Sequence, residues 1–387
     1  MKIAMLGVKS VPCPGGIATY TEQVGSRLAT RGHDVTVYCR RQYLREADDI
    51  PPAPYRGIER RLSPGIRGKY FDALTHTLSA AIDACGRDCD IINIHGSAPA
   101  AAVAPMLRLR RRCPVVVTIH SLDWEGAKWG GVATGAMRAA ARIPVRFADE
   151  VTVVSKRLQN YYRDTFGRET TYIASGAAPA DLRPPDEIRE RWGLSKHGYI
   201  LFVGRLTPEK GLEYLIEAYR RIETDMPLVL VGGANYEDPY VEALVRQADD
   251  RIIFTGYQSG ATLSELFTNA YLYVQPSTLE GLSMAVVEAL SYGRFVLASD
   301  IPGNVEALGE CGRTFTTADV DDLESALAEL LHSPAEVREQ FEIARGRVAR
   351  EYDWDRTADG FETVFEHACG ASGEETETFT VEADAAQ

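Results

Sequence analysis

Short apolar runs alternate with stretches in which apolar positions recur every three or four residues, and this rhythm persists from end to end of the chain. Six runs in the first half predict strands at 2–8, 34–39, 90–95, 115–120, 150–155 and 170–174. A break rich in Gly, Pro and charge follows, carrying Gly176, Pro179, Pro184, Pro185 and Gly193. A second series then predicts strands at 199–204, 227–232, 251–256, 271–276 and 295–299. Strands alternating with amphipathic helices form parallel sheets covered on both faces, so the fold class is α/β, with two doubly wound Rossmann-like domains. The expected boundaries are 1–178 for the first domain, 179–198 for a linker and 199–353 for the second domain. A helix at 354–370 is expected to cross back to the first domain, and the acidic tail 371–387 is expected to be disordered. In such sheets ligands bind beyond the carboxyl ends of the strands, which places the expected site in the interdomain cleft.

A length of 387 residues suits two cores better than one, and 45% hydrophobic residues is ordinary for a globular protein. No apolar run is long enough to span a bilayer, and MKIAMLGV is too short for a signal peptide, so a cytoplasmic location is expected. Seven cysteines without a repeated pair spacing fit a reducing compartment better than a zinc site at Cys85 and Cys89. The charge is split. Residues 1–180 hold 25 Lys and Arg against 16 Asp and Glu, whereas the rest hold 17 against 39. The basic half, with clusters at Arg40-Arg41, between Arg56 and Lys69, and from Arg108 to Arg112, either presents a solvated face or rests on anionic lipid at the inner face of the cell membrane. Nucleic acid is not an expected partner, because the aromatic and basic motifs of its binders are missing.

Candidate chemistry concentrates in PSTLEGLSMAVVEALSY, from Pro276 to Tyr292. A strand ends at a Pro-Ser-Thr turn, and a helix begins near Ser283. The backbone amides of Gly281, Leu282 and Ser283 would then stand at a helix N-terminus, where free N–H groups and the helix dipole bind phosphate. Gly281 would let a ligand approach the backbone. Glu280 and Glu288 need a different partner, and sugar hydroxyls suit an acceptor-only carboxylate. Upstream, GRLTPEKG follows another strand, with Thr207 as a helix N-cap and Pro208 as the first helical residue. Lys210 would fall in the first turn, where a cation is disfavoured unless an anion offsets it. A nucleotide diphosphate is one such anion; a surface pair with Glu209 or Glu213 is the plainer alternative. Gly15 and Gly16, between the first strand and first helix, either admit a donor phosphate or make a simple turn. No G-x-G-x-x-G occurs, so a nicotinamide site has no support.

The order of Gly204-Arg205, Lys210-Gly211, Glu280 and Glu288 resembles the donor-site signature of family 4 glycosyltransferases with the GT-B fold. The first forty residues are similar to that family's opening strand, glycine loop, helix and second strand. The run from Thr118 to Gly130 resembles a surface-polysaccharide, rhamnosyltransferase-like branch. The resemblance implies a transferase that moves a sugar from a nucleotide-diphosphate donor, as co-substrate rather than cofactor, to a hydroxyl of a glycan or lipid-linked glycan. It also implies retention of anomeric configuration and no metal. Glu288 would accept ribose hydroxyls, Glu280 would contact the transferred sugar, and His120 would lie by the sugar and its leaving phosphate. Arg205 and Lys210 would meet the charge that develops on the diphosphate. His95, at the end of a neighbouring strand, and Asp123, Trp124 and Lys128 are acceptor-side candidates, with packing the alternative for Trp124. Tyr257 is placed by the base. Asp88-Cys89-Asp90 has the acidic spacing that binds metal in the other large glycosyltransferase fold, but precedes a strand on the side away from the cleft. Two rival readings remain at this point: a nucleotide-sugar 2-epimerase of the same fold, and a non-catalytic nucleotide-binding subunit.

Overall fold

In a computed structural model of the chain, the described residues are 1–13, 15–44, 53–66, 72–110, 113–122, 124, 131–233 and 238–370. The tail 371–387, Asp123, Lys128, Arg111 and Arg112 therefore lie outside them. The thirteen described strands are β1 (Lys2–Leu6), β2 (Asp34–Cys39), β3 (Glu59–Leu62), β4 (Ile91–His95), β5 (Val115–Ile119), β6 (Glu150–Val153), β7 (Thr171–Tyr172), β8 (Ile200–Val203), β9 (Leu228–Val231), β10 (Ile252–Gly256), β11 (Leu272–Gln275), β12 (Phe295–Ser299) and β13 (Arg313–Phe315).

They form two sheets, ordered β3-β2-β1-β4-β5-β6-β7 and β10-β9-β8-β11-β12-β13, and every ladder between them is parallel. Central strands such as β4, β5 and β12 are buried along their whole length, which is why their sequences are continuous apolar runs and not alternating ones. Two strands went unpredicted. β3 reads ERRL and β13 reads RTF, and both are sheet edges whose charges leave no apolar run to detect.

The chain runs outward from β1 to β3, then returns to place β4 on the other side of β1; β8, β9, β10 and β11 repeat this. Each sheet thus has a topological switch point, between β1 and β4 and between β8 and β11, where the loops diverge and leave a crevice at the strand ends. The Gly15-Gly16 segment and His95 belong to the first crevice. The segments carrying Arg205 and Lys210 and carrying Glu280 belong to the second.

Helix ends follow local chemistry. Ser155 accepts the Leu158 amide at 3.2 Å to start the Lys156–Phe166 helix, and Gly167 ends it in the left-handed conformation at φ 62°. Asp353 caps the Trp354–Ala368 helix by accepting the Asp355 amide at 2.7 Å. That last helix inserts Trp354, Phe361 and Phe365 into the core of the first sheet. On its polar face it pairs with the Gly16–Thr30 helix through Arg27–Asp355 and with that helix's C-cap residue through Arg31–Asp359. Apolar residues buried to this degree stabilise by roughly 1.5–3 kcal/mol per large side chain.

Candidate active site

The loop after β11 turns back so that Glu280 faces Lys210 from the loop after β8. The two side chains form an ion pair and are both nearly buried, 14% and 15% exposed. The same carboxylate oxygen, Oε1 of Glu280, accepts from Ser277 Oγ at 2.8 Å and Gln275 Nε2 at 3.1 Å. Gln275 is held in turn: its Oε1 accepts from the Tyr273 hydroxyl, and its Nε2 also donates to Ser277 Oγ at 2.6 Å. Beneath lie Ser299, whose hydroxyl donates to the Ser277 carbonyl, and Asn304, which donates to Ser299 Oγ at 2.8 Å. Glu280 is therefore fixed from three directions, and its Oε2 has no partner among the described residues.

Thr207 stands at the N-cap position, Pro208 is the first helical residue and Lys210 falls in the first turn, but that turn is not the start of the α-helix. Pro208–Lys210 is a separate 3-10 turn, Thr207 makes no side-chain cap, and the following helix, Leu212–Arg221, starts after Gly211. Gly211 is required there. Its φ is +63°, and a Cβ would lie 2.2 Å from the Pro276 carbonyl, so the two donor-side loops touch at this point. A second tie is the Thr278 amide donating to the Glu209 carbonyl at 2.9 Å. Of the alternatives for Lys210, Glu209 and Glu213 are not its partners, and Glu213 instead accepts from Tyr240 Oη at 2.6 Å. Arg205 is exposed and, among the described residues, has no ion pair.

The helix after Glu280 spans Met284–Ser291. Among the described residues, the amides of Gly281 and Leu282 have no backbone partner, but that of Ser283 donates to the Gly303 carbonyl at 3.3 Å. The expected trio of free amides is thus reduced by one, because the Pro302–Leu308 helix runs close behind. Gly281 also differs from expectation. A Cβ there would lie 2.3 Å from the backbone oxygen of His120, so the space without a side chain is filled by the first domain.

Glu288 is partly buried in the helix, and its carboxylate has no hydrogen bond or ion pair among the described residues. Burial raises its carboxyl from 4.5 to about 7. Glu280 and Glu288 are chemically distinct: one carboxylate is held by three donors, the other by none among the described residues.

From the first domain, His120 follows β5 and His95 ends β4. His95 Nδ1 and His120 Nε2 are 3.0 Å apart, with the rings stacked at 5.3 Å. Burial lowers His120 to about 4 and His95 well below its usual value, the latter helped by His120, so both are neutral at pH 7. Tyr20 meets the His120 ring edge-on at 4.9 Å. Its hydroxyl and His95 Nε2 are buried with no partner among the described residues. Sequence reasoning missed Tyr20, Arg157, Gln275 and Glu306. Arg157 Nη1 donates to the Glu280 carbonyl at 3.4 Å, and Glu306 accepts the Lys156 and Arg157 amides at 2.7 and 3.3 Å, joining the second domain to the start of the Lys156–Phe166 helix. Only Gln275 left a signal, as a lone polar residue closing the apolar run YLYVQP.

Gly15 and Gly16 start the Gly16–Thr30 helix, Gly15 with φ +129° and open space at both Cβ positions. Tyr257 follows β10 and is 57% exposed. Trp124 is 3% exposed and packs on Tyr161 in the first core, so its ring is placed for packing and not in an open acceptor pocket. Asp88 pairs with Lys2 Nζ and Asp90 accepts the Lys2 amide, both at 2.7 Å. No group of three or more metal-ligating side chains occurs among the described residues.

Two crevices facing each other across a cleft, one lined by a Lys–Glu clamp and free helix amides and the other by a neutral His pair, define a two-domain transferase of GT-B type. Residues 14–178 match the Glycosyltransferase Family 4 domain and residues 185–347 match the Glycosyl transferases group 1 domain. The chain belongs to the family 4 glycosyltransferases. It is 26% identical to the MMP alpha-(1->4)-mannosyltransferase of Mycolicibacterium hassiacum, over 95% of this chain and 98% of that one. It is 27% identical to the GDP-mannose-dependent alpha-(1-6)-phosphatidylinositol monomannoside mannosyltransferase of Mycobacterium tuberculosis, over 90% and 93%. Among solved structures, sucrose-phosphate synthase of Thermosynechococcus elongatus shares the fold, with a TM-score of 0.82, 22% identity and coverage of 96% and 100%.

Proposed function

We propose that the chain transfers a hexose from a nucleotide-diphosphate donor to a hydroxyl of a glycan or lipid-linked glycan, with retention of configuration and without a metal. The observation that carries this reading is the Glu280–Lys210 clamp at a sheet switch point, facing His120 across the contact at Gly281. Arg205, Lys210 and the Gly281 and Leu282 amides surround the place where a diphosphate would gain charge as the bond to the anomeric carbon breaks. The electron pair of that bond goes to the phosphate oxygen. The acceptor oxygen takes its place at carbon, and the acceptor's proton passes to the departing phosphate. Retention follows in this reading from the acceptor approaching on the face from which the diphosphate departs, which lets the departing phosphate take the acceptor's proton. Glu288 accepts the ribose hydroxyls and Tyr257 borders the base. Mannose is the sugar named for both mannosyltransferase relatives, and guanine the base named for one of them.

A lipid-linked acceptor fits a further feature. The Asp72–Gly86 helix exposes Leu74, Leu78 and Ile82, at 40%, 40% and 54%, and its Asp83 pairs with Arg61 and Arg87. Such a face suits peripheral contact with anionic lipid; among the described residues no helix is long and apolar enough to cross a membrane.

Thermal shift with UDP, GDP, dTDP and ADP tests the donor site. A cognate nucleotide at 100-fold above its Kd adds about 2.7 kcal/mol, and Arg205→Ala or Glu288→Ala should remove the shift. An undiminished shift in both variants would refute the assignment. Product analysis by proton coupling reads the anomeric outcome, and an inverted product would refute retention.

A further inference from the structure

The opposite end of the second sheet holds a cavity of about 690 Å³. It opens at the amino ends of β9, β11 and β12, whereas the Glu280 clamp lies at the carboxyl ends, so the two are separated by the length of the sheet. Arg294, immediately before β12, lies at its wall and is 5% exposed. Its Nε donates to the Tyr292 carbonyl at 3.1 Å, and its Nη1 to the Ala270 carbonyl at 2.8 Å. Its Nη1 also lies 3.3 Å from His197 Nδ1. Among the described residues nothing takes its Nη2, and no carboxylate pairs with it. A buried guanidinium left without an anion is costly, which makes the arrangement one that awaits a partner.

The surroundings add charge of the same sign. Lys196 and Arg338 line the cavity without ion pairs among the described residues, and Arg183 lines it while paired with Asp181 at 2.6 Å. No Asp or Glu is among the described lining residues. The Arg294 and Arg345 guanidinium groups lie over the Phe341 ring, at 5.4 and 5.3 Å from its centroid. It reaches this position because Gly293, at φ +70°, leaves room: a Cβ there would lie 2.3 Å from the ring. With Leu182, Met226 and Tyr271 it supplies an apolar wall beside the cations.

We propose that this cavity binds a phosphorylated small molecule, its phosphate held by Arg294, Lys196 and Arg338 and its organic part against Phe341 and Tyr271. The volume is that of a small-molecule site rather than of a lone ion, and convergent arginines suit a phosphate dianion. Leu182 to Pro185 come from the segment joining the two domains, so an occupant would also tie that segment to the second domain.

Calorimetric titration of the full chain with glycerol 3-phosphate tests the proposal, using Arg294→Gln, Arg338→Glu and Lys210→Ala. The wild type and K210A should bind alike, and R338E should bind at least about tenfold more weakly, as expected for loss of one charge-assisted contact. R294Q should lose binding as well; because Arg294 also holds two carbonyls and its loss affects folding, exposed Arg338 provides the independent arm. Flotation with phosphatidylcholine vesicles, with and without phosphatidic acid, distinguishes the source: Arg338-dependent flotation assigns the phosphate to a lipid headgroup, and its absence beside calorimetric binding assigns it to a soluble ester. Neither calorimetric binding nor Arg338-dependent flotation in the wild type, or binding abolished by K210A and untouched by R338E, would overturn it.

Discussion

Gly281 of the second domain lies directly against the backbone carbonyl of His120 in the first, close enough that an added Cβ would stand 2.3 Å from the oxygen. This contact joins the two halves of the site, since Glu280 and the free amides flank one partner and the His95–His120 pair includes the other. A methyl at 281 has no flexible side chain to displace, only backbone. Gly281→Ala should therefore part the domains locally while leaving each folded. A displacement of ~1 Å in a reacting geometry costs on the order of a hundredfold in rate. The expected result is a large fall in kcat with nucleoside diphosphate affinity nearly unchanged, measured by steady-state transfer beside calorimetry. Equal losses in both would show that Gly281 serves the donor pocket alone.

The clamp makes a separate prediction. Lys210 bridges to Glu280 and stands where a diphosphate would lie, so Lys210→Ala removes a cation from the ligand and a donor from Glu280. Loss of one or two charge-assisted bonds, roughly 1.5–3 kcal/mol each, should weaken nucleoside diphosphate binding about tenfold or more. Glu280→Gln keeps the shape and the neighbours Ser277 and Gln275, and should lower transfer far more than nucleotide affinity. Matching losses in the two variants would place Glu280 on the nucleotide rather than the sugar.

Gln275 is predicted to act as a positioning residue. Its amide is oriented by the Tyr273 hydroxyl and delivers its N–H groups to Ser277 and Glu280. Gln275→Leu should keep the strand, whose other residues are apolar, but release Glu280 from one of its donors. A lowered kcat with an unchanged KM for the donor is expected, and a compensating loss confined to thermal stability would mean a structural role only.

The two sheets were legible because buried parallel strands are apolar along their length, and β4, β5, β9, β11 and β12 need no partner to be recognised. The edges β3 and β13 were not, since an edge strand carries charges that erase the pattern. At the site, Glu280, Lys210 and Glu288 were visible through spacing around strand ends. What they do to one another was not. That Lys210 pairs with Glu280, and that Gly281 accommodates a carbonyl from the other domain, depends on how two loops and two domains fold together. Tyr20 and Glu306 act only through such tertiary contacts, and a tyrosine in an amphipathic helix looks like any other core residue.

Glu288 and His120 should pull stability in opposite directions with pH. Burial raises Glu288 from 4.5 to about 7, so the fold binds its proton more tightly than the unfolded chain. That contribution is complete below about 4.5 and is lost as pH rises to about 7, up to about 3 kcal/mol. Burial lowers His120 from 6.5 to about 4, so its contribution is present above 6.5 and is lost as pH falls to about 4. The same sign holds for His95, also depressed. Across the shared window the Glu288 contribution opposes those of the histidines and offsets part of the loss on acidification. Glu288→Gln removes one arm: its stability should rise with pH over that window, and it should exceed the wild type above pH about 7, although it binds nucleoside diphosphate less well. His120→Asn removes the other, leaving less loss on acidification than the wild type. Urea midpoints across the window read both. Parallel profiles for wild type and E288Q would mean that the carboxyl titrates alike in the folded and unfolded chains, and Glu288 would then be as well solvated as an ordinary surface glutamate.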